Sequence, residues 1–391
     1  MSEAIGIGLV GFGWMGHAHT RAYRNLPLYF PDEGIRPRLV AVSDTIEDRL
    51  RQAREVFGYE EGFASWWDVI EHPDVEVVDI TAPNALHEEV AVAAAAAGKH
   101  VICEKPVGFS PEATARIEHA ARTAGVNTGC GFNYRWAPLV QHTKALLEQG
   151  RMGEITRYHG RFFAMYGRDR LGLLSWRFLQ EEAGYGVLLD LMSHVIDMAN
   201  HLAGRVRRLV AVKDIFVRER PLPRPDAGTH YDRGGPTDPT GEVTNEDYVG
   251  AIVEFESGAR GILEADRTMM GPQSDMGFDL HASRGAARWS LEDLNRMDLY
   301  LPEESPADGY VRVLAGDAFP HHGRFVPGTG NPIGWEDLKV IEALEFLKSM
   351  RDGRPHAPGF GDALAVADVQ AAMVRSWETG GWVDVASLRI D

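Results

Sequence analysis
The chain has 391 residues, enough for two domains at about 100–200 residues each, and its 44 % hydrophobic and 25 % charged content excludes a disordered or fibrous chain. With 40 basic and 57 acidic side chains the formal charge is −17, a field that repels phosphate backbones and argues against a nucleic-acid partner. The two cysteines, Cys103 and Cys130, are too few for a disulfide scaffold and lack metal-ligand spacing; with no secretory pattern and no apolar run of roughly 18 residues, a cytoplasmic protein without membrane contact or bound metal is expected.

Short β-branched runs then alternate with helical patterns. Strands are predicted over Ile5–Val10, Arg38–Ser43, Val75–Ile80, His100–Cys103 and Val126–Gly131. Between them helices are predicted near Gly16–Leu26, Ile46–Phe57, Ala85–Ala97 and Pro111–Ala124, a rhythm that implies a parallel sheet covered on both faces. A proline-bearing stretch, Leu28–Pro37, reads as an insertion between the first helix and the second strand.

From about Pro138 the pattern changes. A helix (Leu139–Gln149), a strand (Ile155–Phe163) and a helical stretch (Tyr185–Leu202) precede five β-type runs: Val206–Arg218, Tyr248–Phe255, Arg260–Thr268, Phe278–Ala282 and Ala286–Trp289. These lie too close together for helical crossovers and favour an antiparallel sheet. Long Pro- and Gly-rich loops, Pro221–Gly241 and Pro302–Gly334, read as binding loops or oligomer contacts, and a helix pair, Glu336–Met350 and Asp362–Trp377, ends the chain. The expected architecture is an α/β Rossmann domain over residues 1–135, followed by an α+β domain over 136–391 with an open, mainly antiparallel sheet, its last helices able to pack back on the first domain.

Gly11-Phe12-Gly13-Trp14-Met15-Gly16 follows the first strand and opens a helix, the context a dinucleotide fingerprint requires. Gly11 permits the turn, Gly13 lets the backbone approach a pyrophosphate, Gly16 lets helix and strand pack closely, and the helix N-terminus offers free N–H groups. Asp44 ends the second strand, where a carboxylate accepts from ribose hydroxyls and repels a 2′-phosphate; with Thr45 and Ile46 after it, NAD is the expected cofactor.

Two further segments, Thr81-Ala82-Pro83-Asn84-Ala85-Leu86-His87 and Cys103-Glu104-Lys105-Pro106, leave the carboxyl ends of parallel strands, the edge that binds ligands. In isolation Lys105-Pro106 also fits a solvated strand exit, and His87 a helix-N-terminal contact. Together with Asn133-Tyr134-Arg135, Ser175-Trp176-Arg177-Phe178 and the run Gly184–Asp197, the two segments resemble the glucose-fructose oxidoreductase/inositol dehydrogenase (Gfo/Idh/MocA) family, whose marker is Glu-Lys-Pro.

That resemblance implies a Rossmann domain and an α+β domain whose sheet often builds homodimers or homotetramers. Lys105, Asp190 and His194 match the family's catalytic lysine, aspartate and histidine. It places Phe12, Trp14, Met15, Thr81, Pro83, Asn84, His87, Glu104, Lys105, Asn133 and Arg177, beside the three glycines and Asp44, at the cofactor. Tyr134, Trp176, Arg177 and Trp335 join the catalytic three at the substrate.

The chemistry of those three stands beside the resemblance. Asp190 and His194, four apart in a helical pattern, share a face; a histidine suits removal of a hydroxyl proton during hydride transfer; and a lysine stabilises the alkoxide or relays the proton. Within the family, Leu174–Phe178, His194–Leu202 and Asn331–Leu347 most resemble the pyranoside 3-dehydrogenases, which implies a neutral pyranoside or an anhydro-sugar such as levoglucosan, oxidised at C3. An inositol 2-dehydrogenase, a non-redox NAD-dependent glycosidase and a silent NAD-sensing protein are the competing readings. Tyr185 and Met192, where many members have small residues, are expected to narrow the pocket; His322, Arg324, Asn331 and Trp335 sit in a loop that either covers the site or makes a subunit contact.

Overall fold
A computed structural model describes residues 4–224, 229, 231–304 and 308–388; parts of the two Pro/Gly-rich loops, residues 225–228, 230 and 305–307, lie outside them. The described residues form two compact units. One runs to Pro138 and resumes over Gly316–Leu364; the other holds Leu139–Ala315 and the chain from Ala365 onward.

The first unit alternates β1 (Ala4–Val10), α1 (Trp14–Tyr29), β2 (Arg36–Ser43), α2 (Glu47–Glu55), β3 (Glu61–Phe63), α3 (Trp66–Glu71), β4 (Val77–Ile80), α4 (His87–Ala96), β5 (His100–Cys103), α5 (Pro111–Ala124) and β6 (Thr128–Cys130). All strand pairs are parallel, in the order β3-β2-β1-β4-β5-β6. β4 buries all four of its residues and β2 its last five, as strands covered on both faces must.

The register aligns the carboxyl ends of these strands. Val10 pairs with both Ser43 and Ile80, Ile80 with Cys103, and Cys103 with Cys130, so five strands end in one row. Gly11, Asp44, Thr81, Glu104 and Gly131 leave the sheet side by side, around the β1/β4 position where the strand order reverses and such sheets bind ligands.

Three local expectations change. α1 continues through Pro27 to Tyr29 and β2 begins at Arg36, so Leu28–Pro37 is mostly helix end, a turn at Pro31–Glu33 and strand, not an insertion. The helix expected from Ala85 begins at His87, after a separate turn at Asn84–Leu86. β3 and α3, three and six residues long, are too short to register as periodicity.

The second unit carries α6 (Pro138–Glu148), β7 (Ile155–Ala164), α7 (Gln180–Ala183), α8 (Val187–Asp190) and α9 (Met192–Ala203). β8 (Val206–Asp214), β9 (Glu219–Pro221), β10 (Thr240–Glu242), β11 (Tyr248–Phe255), β12 (Arg260–Asp266), β13 (Ser274–Ala282), β14 (Gly285–Ser290), β15 (Arg296–Tyr300), β16 (Val311–Leu314) and, near the end of the chain, β17 (Val383–Asp384) complete its strands. Nine of them form the sheet β16-β15-β14-β13-β7-β12-β11-β8-β17, antiparallel except between β7 and β12. α9 packs on β7, β12 and β13, burying Val195, Ile196, Met198, Ala199 and Leu202. Gly160 of β7 allows the approach, since a Cβ there would stand 3.0 Å from Val195 Cγ1.

The stretch expected as one helix over Tyr185–Leu202 breaks at Leu191 into α8 and α9. The chain then returns to the first unit through α10 (His322–Phe325) and α11 (Trp335–Arg351). α12 (Phe360–Thr379) starts in that unit and continues in the second.

A buried ion pair anchors the second unit. Arg267, 1 % exposed, donates to Asp247 Oδ1 at 2.7 Å, while Asp247 Oδ2 accepts the backbone N–H groups of Phe216 and Val217. Arg267 and the buried Arg220 both lie over the ring of Phe178, 4.6 and 3.9 Å from its centroid. Asp247→Ala strands a buried guanidinium and two amides, so chemical denaturation is expected to show a loss of about 3–5 kcal/mol. A loss below about 1 kcal/mol would equate the pair with a surface contact and refute this account.

Candidate active site
The turn after β1 has the backbone a dinucleotide needs. Gly11 has φ +91°, and a Cβ on it would lie 2.6 Å from Ala82 Cα; a Cβ on Gly16 would lie 2.5 Å from the Gly11 carbonyl oxygen. Thr81 Oγ1 donates to that carbonyl at 2.5 Å. Gly13, by contrast, faces open space, and as N-cap of α1 it brings no side-chain cap and no acidic first turn. The first N–H groups of α1 are therefore left for an anionic ligand, and the residues present fit a pyrophosphate.

Asp44 is already engaged. Its Oδ2 accepts the Phe12 N–H at 2.8 Å and its Oδ1 the Ile46 N–H at 2.9 Å, so the carboxylate shapes the glycine turn as well as standing at the ribose position. Arg49, five residues on, reaches within 3.4 Å of Oδ2. The Phe12 ring is buried edge-on to Phe57, and Met15 is partly buried. The exposed Trp14 stacks on Trp335 at 5.3 Å and 19°. Trp335 thus belongs with the glycine turn in the first unit, as does the loop before it: Phe325 packs on Tyr29, and Arg324 donates to Asp32.

Beyond β4 and β5, His87 lies fully buried between two carbonyls, Nδ1 2.8 Å from Pro106 O and Nε2 3.0 Å from Ala82 O. Burial pushes its pKa down, and the neutral ring donates to one of them. The exposed Pro83 and the partly buried Asn84 begin the turn before His87, and Tyr134 is partly buried. Asn133 is buried with its Nδ2 lacking an acceptor among the described residues, a polar atom suited to a ligand.

Glu104 turns inward instead. Its Oε1 accepts from Lys339 Nζ at 2.6 Å and lies 3.0 Å from His19 Nε2, while its Oε2 accepts the Lys105 N–H at 3.2 Å. His19 Nδ1 in turn meets Asp79 Oδ2 at 2.8 Å, Tyr23 donates to the same oxygen at 2.8 Å, and Lys339 also donates to Glu342 at 2.8 Å. Sequence reasoning missed this cluster. Its signals are charges at core positions: Asp79 in the buried strand Val77–Ile80, and Lys339 amid the apolar face of α11.

Asp190 anchors a second cluster, in the second unit. Tyr166, which the sequence did not single out, donates to Asp190 Oδ2 at 2.9 Å, and Arg177 Nη1 lies 3.6 Å from the same oxygen. The Arg177 guanidinium covers the half-exposed Trp176 ring at 4.7 Å. Asn245 and Arg267 donate to the Arg177 carbonyl, and Glu246 caps α8 through the Val187 and Leu188 N–H groups. These contacts hold both flanks of the aspartate. His194 is buried in the first turn of α9, so the helix break at Leu191 stands between the two residues expected on one helical face. Tyr185 and Met192 turn into the unit: Tyr185 meets Trp377 edge-on at 5.8 Å, and Met192 is fully buried. No group of side chains among the described residues could hold a metal ion, and no helix is long and apolar enough to cross a membrane.

Comparison with known proteins covers both units. The family model described as an oxidoreductase family with NAD-binding Rossmann fold matches residues 5–132, and that of the GFO/IDH/MocA C-terminal domain matches residues 140–288. Levoglucosan dehydrogenase of Pseudarthrobacter phenanthrenivorans is 33% identical over 387 residues, 99% of each chain. A solved levoglucosan dehydrogenase in complex with NADH and levoglucosan matches with TM-score 0.91 at 32% identity, covering 98% of this chain and 100% of that one. Myo-inositol 2-dehydrogenase of Thermotoga maritima is 28% identical over 354 residues, 90% of each chain.

The inward cluster makes stability depend on pH. Burial and Lys339 oppose a charge on His19, but Asp79 and Glu104 outweigh them and raise its pKa from 6.5 to about 9. A proton held more tightly in the folded state stabilises fully below about pH 6.5, and that contribution, of order 3 kcal/mol, disappears as pH rises through about 9. The melting temperature is expected to fall between pH 7 and 9.5, and His19→Gln to flatten that decline. An equal decline in the variant would show that His19 does not carry the effect.

Proposed function
The chain belongs to the Gfo/Idh/MocA oxidoreductase family, and on that premise we propose that it oxidises a ring secondary hydroxyl of a neutral sugar, a pyranoside or an anhydro-sugar such as levoglucosan, at C3, with NAD as cofactor. The observation that carries this reading is the full-length likeness to levoglucosan dehydrogenase, at 33% identity over 99% of both chains. The inositol dehydrogenase is less similar, at 28%.

We assign catalysis to Lys105, Asp190 and His194. NAD held at the glycine turn supplies a hydride acceptor. His194 removes the hydroxyl proton, and Lys105 stabilises the charge that develops on the same oxygen or relays that proton. Asp190, fixed by Tyr166 and Arg177, accepts a hydrogen bond from a neighbouring hydroxyl, so a sugar lacking that hydroxyl leaves a polar group unpaired and is rejected. Trp176 offers an apolar face to ring C–H groups. A net charge of −17 is poorly suited to sugar phosphates. The two buried cysteines are consistent with a reducing cytoplasm, and the exposed Val212 and Ile252 on the nine-stranded sheet with a homodimer or homotetramer.

A panel of anhydro-sugars, pyranosides, aldoses, inositols and sugar phosphates, followed by NADH absorbance, tests the assignment. Activity confined to inositols or phosphorylated sugars overturns it, and product without net NADH points to the glycosidase reading. Lys105→Ala is expected to lower kcat more than it raises KM, and His194→Ala to cost about 10²–10⁴-fold. Near wild-type rates in a folded variant reject that residue's role.

Asp44 repels a 2′-phosphate while Arg49 attracts it, so the preference for NAD amounts to a few kcal/mol at most. Asp44→Ser is expected to narrow that preference. Wild-type turnover with NADP equal to that with NAD removes the discriminating role of Asp44.

A further inference from the structure
We propose that Lys339 and His19 are positioning residues for Lys105, acting through the carboxylate of Glu104; this rests on the assignment of Lys105 as catalytic. Glu104 directly precedes Lys105, and its two oxygens have separate tasks. Oε1 is bound by the two buried cationic side chains, Lys339 at 2.6 Å and His19 at 3.0 Å, while Oε2 is left to accept the Lys105 N–H at 3.2 Å. On the far side of Lys105, the Pro106 carbonyl is 2.8 Å from the buried His87 ring. The main chain of Lys105 is therefore gripped on both flanks, and its ammonium begins from a fixed stem.

The carboxylate has nowhere else to go. It lies over Gly131, where even a Cβ would stand 2.6 Å from Oε1, and burial without a cation forces such a group to take up a proton or to turn away. Lys339 and Lys105 both carry positive charge, so replacing Lys339 by a neutral chain of similar length does not add repulsion at Lys105. It releases Glu104 and, with it, the hold on the Lys105 N–H. The effect belongs to the turnover step, because among the described residues the side chains of Lys339, His19 and Glu104 make no hydrogen bond to the glycine turn or to Asp44.

The test compares Lys339→Met, Lys339→Arg and His19→Gln, each alone and combined with Lys105→Ala, using NAD and the fastest sugar of the panel. Lys339→Met is expected to lower kcat about tenfold to a hundredfold, as a misplacement near 1 Å does, with the KM for sugar and the NADH dissociation constant changed less than about threefold. Lys339→Arg recovers part of the rate. The double variant Lys105→Ala/Lys339→Met is no slower than Lys105→Ala, because residues acting through one group do not add.

A Lys339→Met enzyme that melts earlier but keeps kcat within about twofold shows a structural role only, and losses that multiply with those of Lys105→Ala show that Lys339 acts elsewhere; either overturns the proposal. If Lys339→Met does not fold, His19→Gln carries the same comparison. Wild-type turnover by Lys105→Ala itself defeats the catalytic assignment, and the proposal with it, and is told apart by that single variant.

Discussion
A carboxylate withdrawn from water has to be met by positive charge, and in the first unit that requirement falls on Glu104. Two cations meet it, from α1 and α11, and each brings an anion of its own: Asp79 from β4 and Glu342 from α11. The helix α1, the central strand β4 and the late helix α11 are thereby joined around the residue that precedes Lys105. Packing alone would bring α1 and α11 together. The ion cluster fixes which of their residues face each other.

The second unit solves a similar problem with different chemistry. Arg267 and Asp247 are sealed from solvent, and the remaining donors of Arg267 reach the Asn245 side chain and the Asn245 and Arg177 carbonyls. The result is a rigid bracket around α8, whose last residue is Asp190. Both units place a buried charge pair behind a functional candidate and direct its surplus hydrogen bonds to main-chain atoms. Main-chain contacts tolerate no change of rotamer, which suits a scaffold whose side chains have to meet a substrate accurately.

Much of this was legible in the sequence where a residue type has few other uses. Three glycines in a fixed spacing after a β-branched run, an aspartate at the end of the next strand and the Glu-Lys-Pro turn all lie where the sequence put them: Gly11 and Gly16 because no Cβ fits there, Asp44 and Glu104 because their carboxylates accept main-chain N–H groups. Tyr166 was not legible: it follows β7 in an irregular segment with no periodicity to mark what its hydroxyl meets. The break at Leu191 was hidden for the opposite reason. Its flanks, Val187–Asp190 and Met192–Ala203, share one helical pattern, and the interruption is a matter of hydrogen-bond partners, with the Val187 and Leu188 N–H groups drawn to Glu246. The partnership of Glu104 with Lys339 spans 235 residues, beyond any local signal.

That separation also orders events during synthesis. When the ribosome has made the first 138 residues, Asp79, His19 and Glu104 are all present, yet the ammonium that completes the cluster is still uncoded. At roughly 5–20 residues per second, the 235-residue interval takes tens of seconds. Over that time the Rossmann strands emerge with an acidic excess at their centre and no α11 to cover α1, while the entire nine-strand sheet except β17 is being made. The first part of the chain to appear is thus completed only after most of the second, and its exposed intermediate is the form most open to chaperones and to aggregation.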